Sequence, residues 1–543
     1  MLKFLLFFIP LQKYIINLAS IFMKNILFIS LILSVLHTKA QNTASMLSQS
    51  ITPDDLKRHL TVLTADSLEG RETGTIGNLR AGTYIARHFQ GLGLPPVVKG
   101  SFFQPIAFIS ESWSSISVSI NGKDYAPKWD FYSLPSYNSE LEINADEVVF
   151  CGYGIEDKFY NDYKKARNKL KGKVLLIYNN EPTNSEGVSL LTSSTTPSEW
   201  STSMTKKLEV AYRYGAKAIL VIDGSLQKNL DKYRNEMSNY NMKMGEGLFP
   251  ESHFTNSIFI STEMAKNLIG DKFKKIVAAR ELIVATGKTK RFSVPCKLAL
   301  KQEKKINKLK ANNVLGYIEG SDEKLKNELV VVTAHYDHLG KKGDDIFHGA
   351  DDDGSGTCAV LEIAEAFATA QRMGNGSLRS VLCMLVTGEE KGLLGSQYYV
   401  NHPVFPLEKT VADVNIDMVG RVDEAHEKDA NYIYVIGADK LSQDLHDINE
   451  TANKNNTHLT LDYKYNDEAD PNRYYYRSDH YNFAVKGIPA IFYFNGTHAD
   501  YHKKTDTIEK INFEALANRA KLAFFTAWEL ANRDERIRLN VKK

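Results

Sequence analysis

The carboxyl-terminal half of the chain alternates short apolar runs with longer amphipathic segments. A segment with helical periodicity, 357–371, separates two of these runs. Buried strands that alternate with amphipathic helices are typical of α/β proteins with a largely parallel sheet. We therefore expect a three-layer α/β sandwich with a mostly parallel, mixed sheet. The predicted strands are 314–318, 329–333, 381–386, 411–416 and 488–494.

Two helices are predicted ahead of this region. The first begins at a candidate N-cap, Thr52, followed by Pro53, and places Leu56 and Leu60 on one face. The second spans about 78–90 and is followed by glycines. A glycine-rich loop, 67–74, connects them.

Between 141 and 289 the pattern changes to short strand-like runs. A helix is predicted at 208–214, and the segment 185–203, rich in Ser and Thr, is expected to be an exposed loop. No candidate catalytic motif falls in this region, which we interpret as a module inserted into the main domain. The predicted organisation is an export segment at 1–40, the first part of the main domain at 41–140, the insert at 141–289 and the rest of the main domain at 290–543.

The composition indicates a soluble globular protein and argues against some classes of partner. The chain has 543 residues, of which 43% are hydrophobic and 24% charged, as in soluble globular proteins of two or three domains. Lys plus Arg is 67 and Asp plus Glu is 65, so the composition gives no support to a nucleic-acid partner. The four cysteines form no CxxC pair and favour buried thiols, with a Cys358–Cys383 bridge left open.

The amino terminus has the pattern of an export signal. From Met23, Lys24 precedes an apolar run, and small residues at Thr38 and Ala40 precede Gln41. We expect translation to start at Met23 and the mature protein to be exported, periplasmic or secreted, and soluble. A retained membrane anchor is the competing interpretation. No later window has the roughly 18 apolar residues of a membrane span.

Candidate metal ligands follow the predicted strands. His335 is followed two residues later by Asp337, a carboxylate that can orient the ring by accepting from its other nitrogen. Three adjacent aspartates, 351–353, stand in a glycine-flanked loop, and a cation is the natural compensation for such crowded negative charge. One carboxylate has two oxygens and can bridge two metal ions.

Further candidates come from three later loops. Glu389 and Glu390 follow the strand 381–386, where one carboxylate can bind a metal and the other can act as a general base. Asp417 follows 411–416, and Tyr501 precedes His502 in a polar loop. One histidine and two carboxylates per ion, one of them shared, suit Zn²⁺. We expect four other nearby histidines to lie outside the ligand set: His338, His348, His480 and His498.

Together these motifs resemble the co-catalytic di-zinc aminopeptidases of peptidase clan MH, family twenty-eight, which include exported leucyl aminopeptidases and relatives of glutamate carboxypeptidase. The segment 67–94 resembles the amino-terminal part of that family, and about 141–289 is similar to the β-rich protease-associated domain inserted in many members. The motifs are AHYDHLG at 334–340, GADDDGSG at 349–356, TGEEKGLLGS at 387–396, NIDMVGR at 415–421 and DYHKKTDT at 500–507.

The resemblance implies a role for each residue. Asp352 would bridge two zinc ions, one also bound by His335 and Asp417, the other by Glu390 and His502. Glu389 would be the general base for a water activated by the zinc ions, and Asp337 would orient His335. Tyr501 would help to hold the oxyanion, and the peptide bond after Asp352 would be cis.

The expected function is hydrolysis of amino-terminal residues from peptides by an exported zinc enzyme. Three alternatives stay open. A glutaminyl cyclase shares the fold with a single zinc, and a dipeptidase or carboxypeptidase would need a basic pocket, for which Arg421, Arg473 and Arg477 are available. A binding protein that has lost catalysis would lack several ligands, whereas this chain has all five.

Overall fold

The computed structural model describes residues 43–166, 168–233, 241–245 and 253–540. The predicted export segment at 1–40 lies outside these residues. The described residues form two compact units. Among these residues, the split unit comprises 43–106 and 310–540, and the central unit comprises those that lie within Ala107–Leu309. Among the described residues, no helix is long and apolar enough to cross a membrane.

The split unit is built on a mixed, mostly parallel sheet. Leu329–His335 lies at its centre and pairs in parallel with Ser380–Val386 on one side and Thr410–Ile416 on the other. Parallel pairing also joins Thr410–Ile416 to Ala490–Phe494. In order across the sheet, the strands are Thr460–Asp462, Tyr432–Ile436, Ala490–Phe494, Thr410–Ile416, Leu329–His335, Ser380–Val386 and the end of Phe292–Ile318.

Helices pack on both faces of this sheet. The long helices Gly356–Arg372 and Phe513–Asn532 share a core with Pro53–Leu63 and Ile76–Gly91, while Leu394–Asn401 and His480–Val485 pack on the other face. The predicted α/β class with a mostly parallel sheet is therefore confirmed. The helices of the split unit are Pro53–Leu63, Ile76–Gly91, Gly356–Arg372, Leu394–Asn401, Ala438–Leu441, Gln443–Ala452, His480–Val485 and Phe513–Asn532.

Local sequence explains where the first helices begin. Thr52 caps Pro53–Leu63 by accepting a hydrogen bond from the Asp55 main-chain N–H, as predicted, and Pro53 takes a position that needs no donor. Thr75 caps Ile76–Gly91 in the same way, through Asn78.

Two parts of the split unit were not predicted. Tyr432–Ile436 pairs antiparallel to Ala490–Phe494 and in parallel with the short strand Thr460–Asp462. A two-stranded ribbon, Gly340–Lys342 with Asp345–Phe347, follows the central strand. Tyr432–Ile436 is fully buried, but it is only five residues long and lies in a polar region of the sequence.

The central unit also contains parallel strands. Four strands are parallel in the order Leu141–Phe150, Val174–Tyr178, Ala218–Ile222 and Asn256–Ile260, and Phe292–Ile318 pairs antiparallel to the first. Helices pack against these strands and share two hydrophobic clusters with them. Its helices are Glu199–Thr202, Met204–Arg213, Leu226–Tyr233, Thr262–Ile269 and Phe273–Thr286. Its other strands are Phe103–Ile120, Lys123–Tyr125, Phe131–Tyr132 and Asn241–Met244.

The bounds of the predicted insert, 141–289, stay a prediction, although the central unit contains them. All four cysteines are buried free thiols, so Cys358 and Cys383 are not bridged in this structure.

Leu361→Ala should destabilise the split unit, because Leu361 is fully buried in the core beneath the sheet. Deleting a buried leucine side chain costs about 2–5 kcal/mol of unfolding free energy. The same substitution at Leu79, which is 50% exposed on another helix, should cost far less. Guanidinium unfolding curves of the two variants would measure this difference, and equal losses would contradict the packing described.

Candidate metal centre

The candidate site lies where parallel strands end. His335 is the last residue of Leu329–His335, and Asp417 directly follows Thr410–Ile416. Glu389 and Glu390 come three and four residues after Ser380–Val386. Because these strands are parallel neighbours, their carboxyl ends meet at one edge of the sheet, where α/β proteins bind ligands.

The three adjacent aspartates separate in the turn Ala350–Ser355. Asp353 accepts hydrogen bonds from the main-chain N–H groups of Gly356 at 2.9 Å and Met418 at 3.0 Å. Asp351 accepts from the main-chain N–H of Gly420 at 2.7 Å. These two carboxylates thereby hold the loop, and only the Asp352 carboxylate faces the candidate ligands. The Asp352–Asp353 peptide bond is cis.

Asp352 contributes one oxygen to each of two groups of potential ligands. In the first group, His335 Nε2 lies 3.3 Å from Asp352 Oδ1 and 3.6 Å from Asp417 Oδ1. All three side chains are buried. The structure therefore brings together the histidine and the two carboxylates that the sequence predicts for one metal ion.

The second group forms on the other oxygen of Asp352. His502 Nε2 lies 3.1 Å from Asp352 Oδ2 and 3.4 Å from Glu390 Oε2. His338 Nδ1 lies 2.8 Å from Glu390 Oε1 and 3.8 Å from Asp352 Oδ2. The sequence favoured a place outside the ligand set for His338, but the structure puts its ring inside this group.

Several atoms of the second group are buried without a hydrogen-bond partner. They are Asp352 Oδ2, Glu390 Oε1 and both ring nitrogens of His338. A buried polar atom left unpaired is costly, yet these atoms face one another at short range. A divalent cation among them would satisfy them together, so the residues present fit a metal ion.

Local charge perturbs the carboxylates of the site. Burial raises the pKa of Glu389 well above its usual range, while His335 opposes this rise and the neighbouring carboxylates Glu390 and Asp417 add to it. Burial would also raise the pKa of Asp352, but the surrounding histidines lower it well below its usual range. The surroundings thus favour the charged form of Asp352 and the protonated form of Glu389.

Hydrogen bonds from neighbouring residues hold the candidate ligands in position. Ser478 donates to Asp417 Oδ2 at 2.7 Å. Thr73 donates to Asp337 Oδ2 at 2.7 Å, and the main-chain N–H of Glu389 donates to Asp337 Oδ1 at 3.3 Å. His335 Nδ1 lies 3.1 Å from the main-chain oxygen of Asp337 but 3.8 Å from its carboxylate. The main-chain oxygen, rather than the carboxylate predicted from sequence, is thus the nearer partner of the His335 ring.

A buried arginine joins the amino-terminal segment to the site loops. Arg71 is fully buried and donates to the main-chain oxygens of Tyr336 at 2.8 Å, His348 at 2.6 Å and Gly349 at 2.9 Å. It also donates to the oxygen of Leu63, at the end of the first helix. The amino-acid sequence alone does not distinguish this buried arginine from a surface residue.

A cleft opens beside the first group. Its wall carries apolar side chains, Met418, Phe492 and Phe494, and the hydroxyl of Tyr501. Arg477 donates to that hydroxyl at 3.2 Å, and the Tyr501 ring stacks on His502, with centroids 3.8 Å apart. The cleft therefore offers an apolar surface next to the metal ligands and a phenol at its rim.

The chain was compared with known proteins. Residues 313–527 match the family model described as Peptidase family M28. A probable leucine aminopeptidase of Arthroderma otae is 30% identical over 238 residues, 42% of this chain and 61% of that protein. Aminopeptidase YwaD of Bacillus subtilis is 29% identical over 252 residues, 44% of this chain and 50% of that protein. The chain thus spans 50–61% of the length of these two curated relatives.

Solved structures share the fold over most of both chains. The aminopeptidase from Aneurinibacillus sp. strain AM-1 matches with a TM-score of 0.55 and 18% identity, covering 92% of this chain and 98% of that one. A zinc aminopeptidase from Bacillus subtilis matches with a TM-score of 0.50 and 20% identity, covering 91% and 99%. At these identities the likeness establishes the fold alone.

Asp352→Ala should abolish binding of both metal ions, because Asp352 is the only carboxylate shared by the two groups. His338→Ala removes a donor from the second group and should lower occupancy there while leaving the first ion in place. Metal content by elemental analysis after dialysis against limiting zinc would check this. An Asp352→Ala variant that keeps two ions would contradict the shared ligand.

Proposed function

Because residues 313–527 match the peptidase family M28 model, we propose that this protein is a zinc aminopeptidase that removes residues from the amino terminus of peptides. The observation that carries the proposal is the pair of histidine and carboxylate groups that share Asp352. The names of the relatives, leucine aminopeptidase and aminopeptidase, point the same way.

Two zinc ions per chain suit the donors. His335, Asp352 and Asp417 would hold one ion, and Asp352, Glu390 and His502, with His338 beside them, would hold the other. Imidazole and carboxylate together favour zinc over a hard cation, which prefers oxygen donors alone. When bound, the two ions supply positive charge that polarises a peptide carbonyl and acidifies water.

Glu389 is the proposed general base. Its carboxylate lies 3.9 Å from His335 Nε2 and is not a member of either ligand group. It takes a proton from the water that attacks the scissile carbonyl carbon and later gives that proton to the departing amine. Its raised pKa suits a group that must hold a proton between these two steps.

Tyr501 is the proposed donor to the developing oxyanion. Burial raises the pKa of its hydroxyl, so the phenol stays protonated and able to donate. Arg477 directs its hydrogen-bond donor at that oxygen, which orients the hydroxyl. The role of Tyr501 is to stabilise negative charge on the former carbonyl oxygen as the tetrahedral intermediate forms.

The second group of potential ligands argues against the alternative function of a single-zinc glutaminyl cyclase. A single-zinc cyclase has no need of a second complete donor set, and here Glu390, His502 and His338 supply one. Export is part of the proposal as well, supported by the signal pattern from Met23 to Gln41.

Glu389→Gln should reduce kcat by at least about 10²-fold, which is the usual effect of losing a general base. Metal content should stay at the wild-type value, because Glu389 belongs to neither ligand group. Glu408→Gln, a matched change at an exposed site, is the control. Wild-type kcat in the Glu389 variant would remove its role as base.

Hydrolysis should require a free α-amino group. Leucine p-nitroanilide should be cleaved, whereas its N-acetyl derivative should not, and a chelator should abolish the activity until zinc is restored. Cleavage of the blocked substrate, or cyclisation of an amino-terminal glutamine with one zinc per chain, would instead support another function.

A further inference from the structure

A separate cavity of about 630 Å³ lies within the central unit. It opens beyond the carboxyl ends of two parallel strands, Val174–Tyr178 and Ala218–Ile222. In parallel α/β sheets this is the position at which ligands bind, and the volume is that of a small-molecule site. None of the metal-centre residues lines it.

Three walls enclose the cavity. The strand end contributes Tyr178, Asn179 and Asn180. The helix Phe273–Thr286 presents one face, because its lining residues Phe273, Val277 and Arg280 are spaced by four and three positions. The third wall is a loop rich in hydroxyl groups. Lining hydroxyls come from Thr183, Ser189, Thr195, Ser201, Thr202 and, at the next strand end, Thr262.

The floor is held in place by buried polar contacts. Lys207, which is buried, donates through its ammonium group to the main-chain oxygen of Asn180. Glu181 accepts from the main-chain N–H of Ser198 at 2.9 Å and also from its hydroxyl. The Glu181 carboxylate is thus engaged in closing the loop, so the cavity is shaped before any ligand arrives.

The positive charge in the lining has no acidic partner. The Arg280 guanidinium lies 5.4 Å from the centre of the Tyr178 ring, and Tyr153 also lines the cavity. Among the described residues, no carboxylate forms an ion pair with it. A guanidinium held beside a phenol ring is suited to pair with a planar anion such as a carboxylate.

We propose that this cavity binds a short acidic saccharide, a sugar chain of one to three rings that carries a carboxylate. Aromatic side chains supply flat apolar surface for the sugar rings, and the asparagines and hydroxyls supply donors and acceptors for ring hydroxyls. Arg280 pairs with the carboxylate. A peptide fits less well, because the strands here present their ends, not a free edge along which a peptide could add a strand.

Titration calorimetry on the full-length protein tests this, with digalacturonate as the acidic probe, cellobiose as the neutral one and trialanine as a peptide. We expect digalacturonate to bind more tightly than cellobiose. Arg280→Gln should weaken digalacturonate at least about tenfold, the effect of losing one charge-assisted contact, and change cellobiose little. Lys275→Gln removes a charge from the same helix outside the cavity and should bind as wild type.

Asn180→Gly, at an exposed lining position whose φ is +59°, removes the side chain without straining the backbone and should weaken both sugars. Three outcomes would overturn the proposal. They are no binding of either sugar, sugar binding that neither variant alters, and Arg280-dependent binding of trialanine in place of the sugars. Peptidase activity should be unchanged in all three variants, because none of these residues belongs to the metal centre.

Discussion

Several carboxylates are buried at one edge of the split unit's sheet, and the residues around them must compensate this negative charge. Asp351, Asp352 and Asp353 are all buried, and Asp417 lies beside them. Removing a carboxylate from water costs several kcal/mol unless hydrogen bonds or opposite charge compensate. Each of these side chains must therefore have a specific partner, and the kind of partner decides what the residue does.

The partners divide the three adjacent aspartates into two classes. Asp351 and Asp353 are neutralised by main-chain N–H groups from their own turn and from the loop after Thr410–Ile416. They consequently act as clamps between loops. Asp352 faces imidazoles, and one of its oxygens has no hydrogen-bond partner. A buried carboxylate oxygen without a hydrogen-bond partner is suited to bind a cation, which is why the metal centre is proposed around Asp352.

Much of this could be predicted from sequence, for physical reasons. Buried parallel strands are nearly continuous apolar runs, so four of the five predicted strands match within two residues at each end, whereas 314–318 is only the end of Phe292–Ile318. Ligand types after such strands indicate a metal site. The spacing of residues cannot show which of several adjacent carboxylates turns inward, because that depends on the hydrogen bonds of the turn. The choice of Asp352 came from the family resemblance.

Other features had no sequence signal. His338 was expected outside the ligand set because a second histidine three residues after His335 has no distinguishing pattern, yet its ring is buried against Glu390. Arg71 resembles any charged residue in a polar loop, but its side chain binds the main chain of three distant loop residues. The short strand Tyr432–Ile436 is buried by tertiary packing that a local pattern does not report.

The central claim is that the two oxygens of one aspartate serve two metal ions. Anomalous diffraction at the zinc absorption edge, on crystals grown with zinc, measures this most directly. The account predicts two peaks, one beside His335 and Asp417 and one beside Glu390 and His502, with the Asp352 carboxylate between them. A single peak, or two peaks that Asp352 does not join, would contradict it.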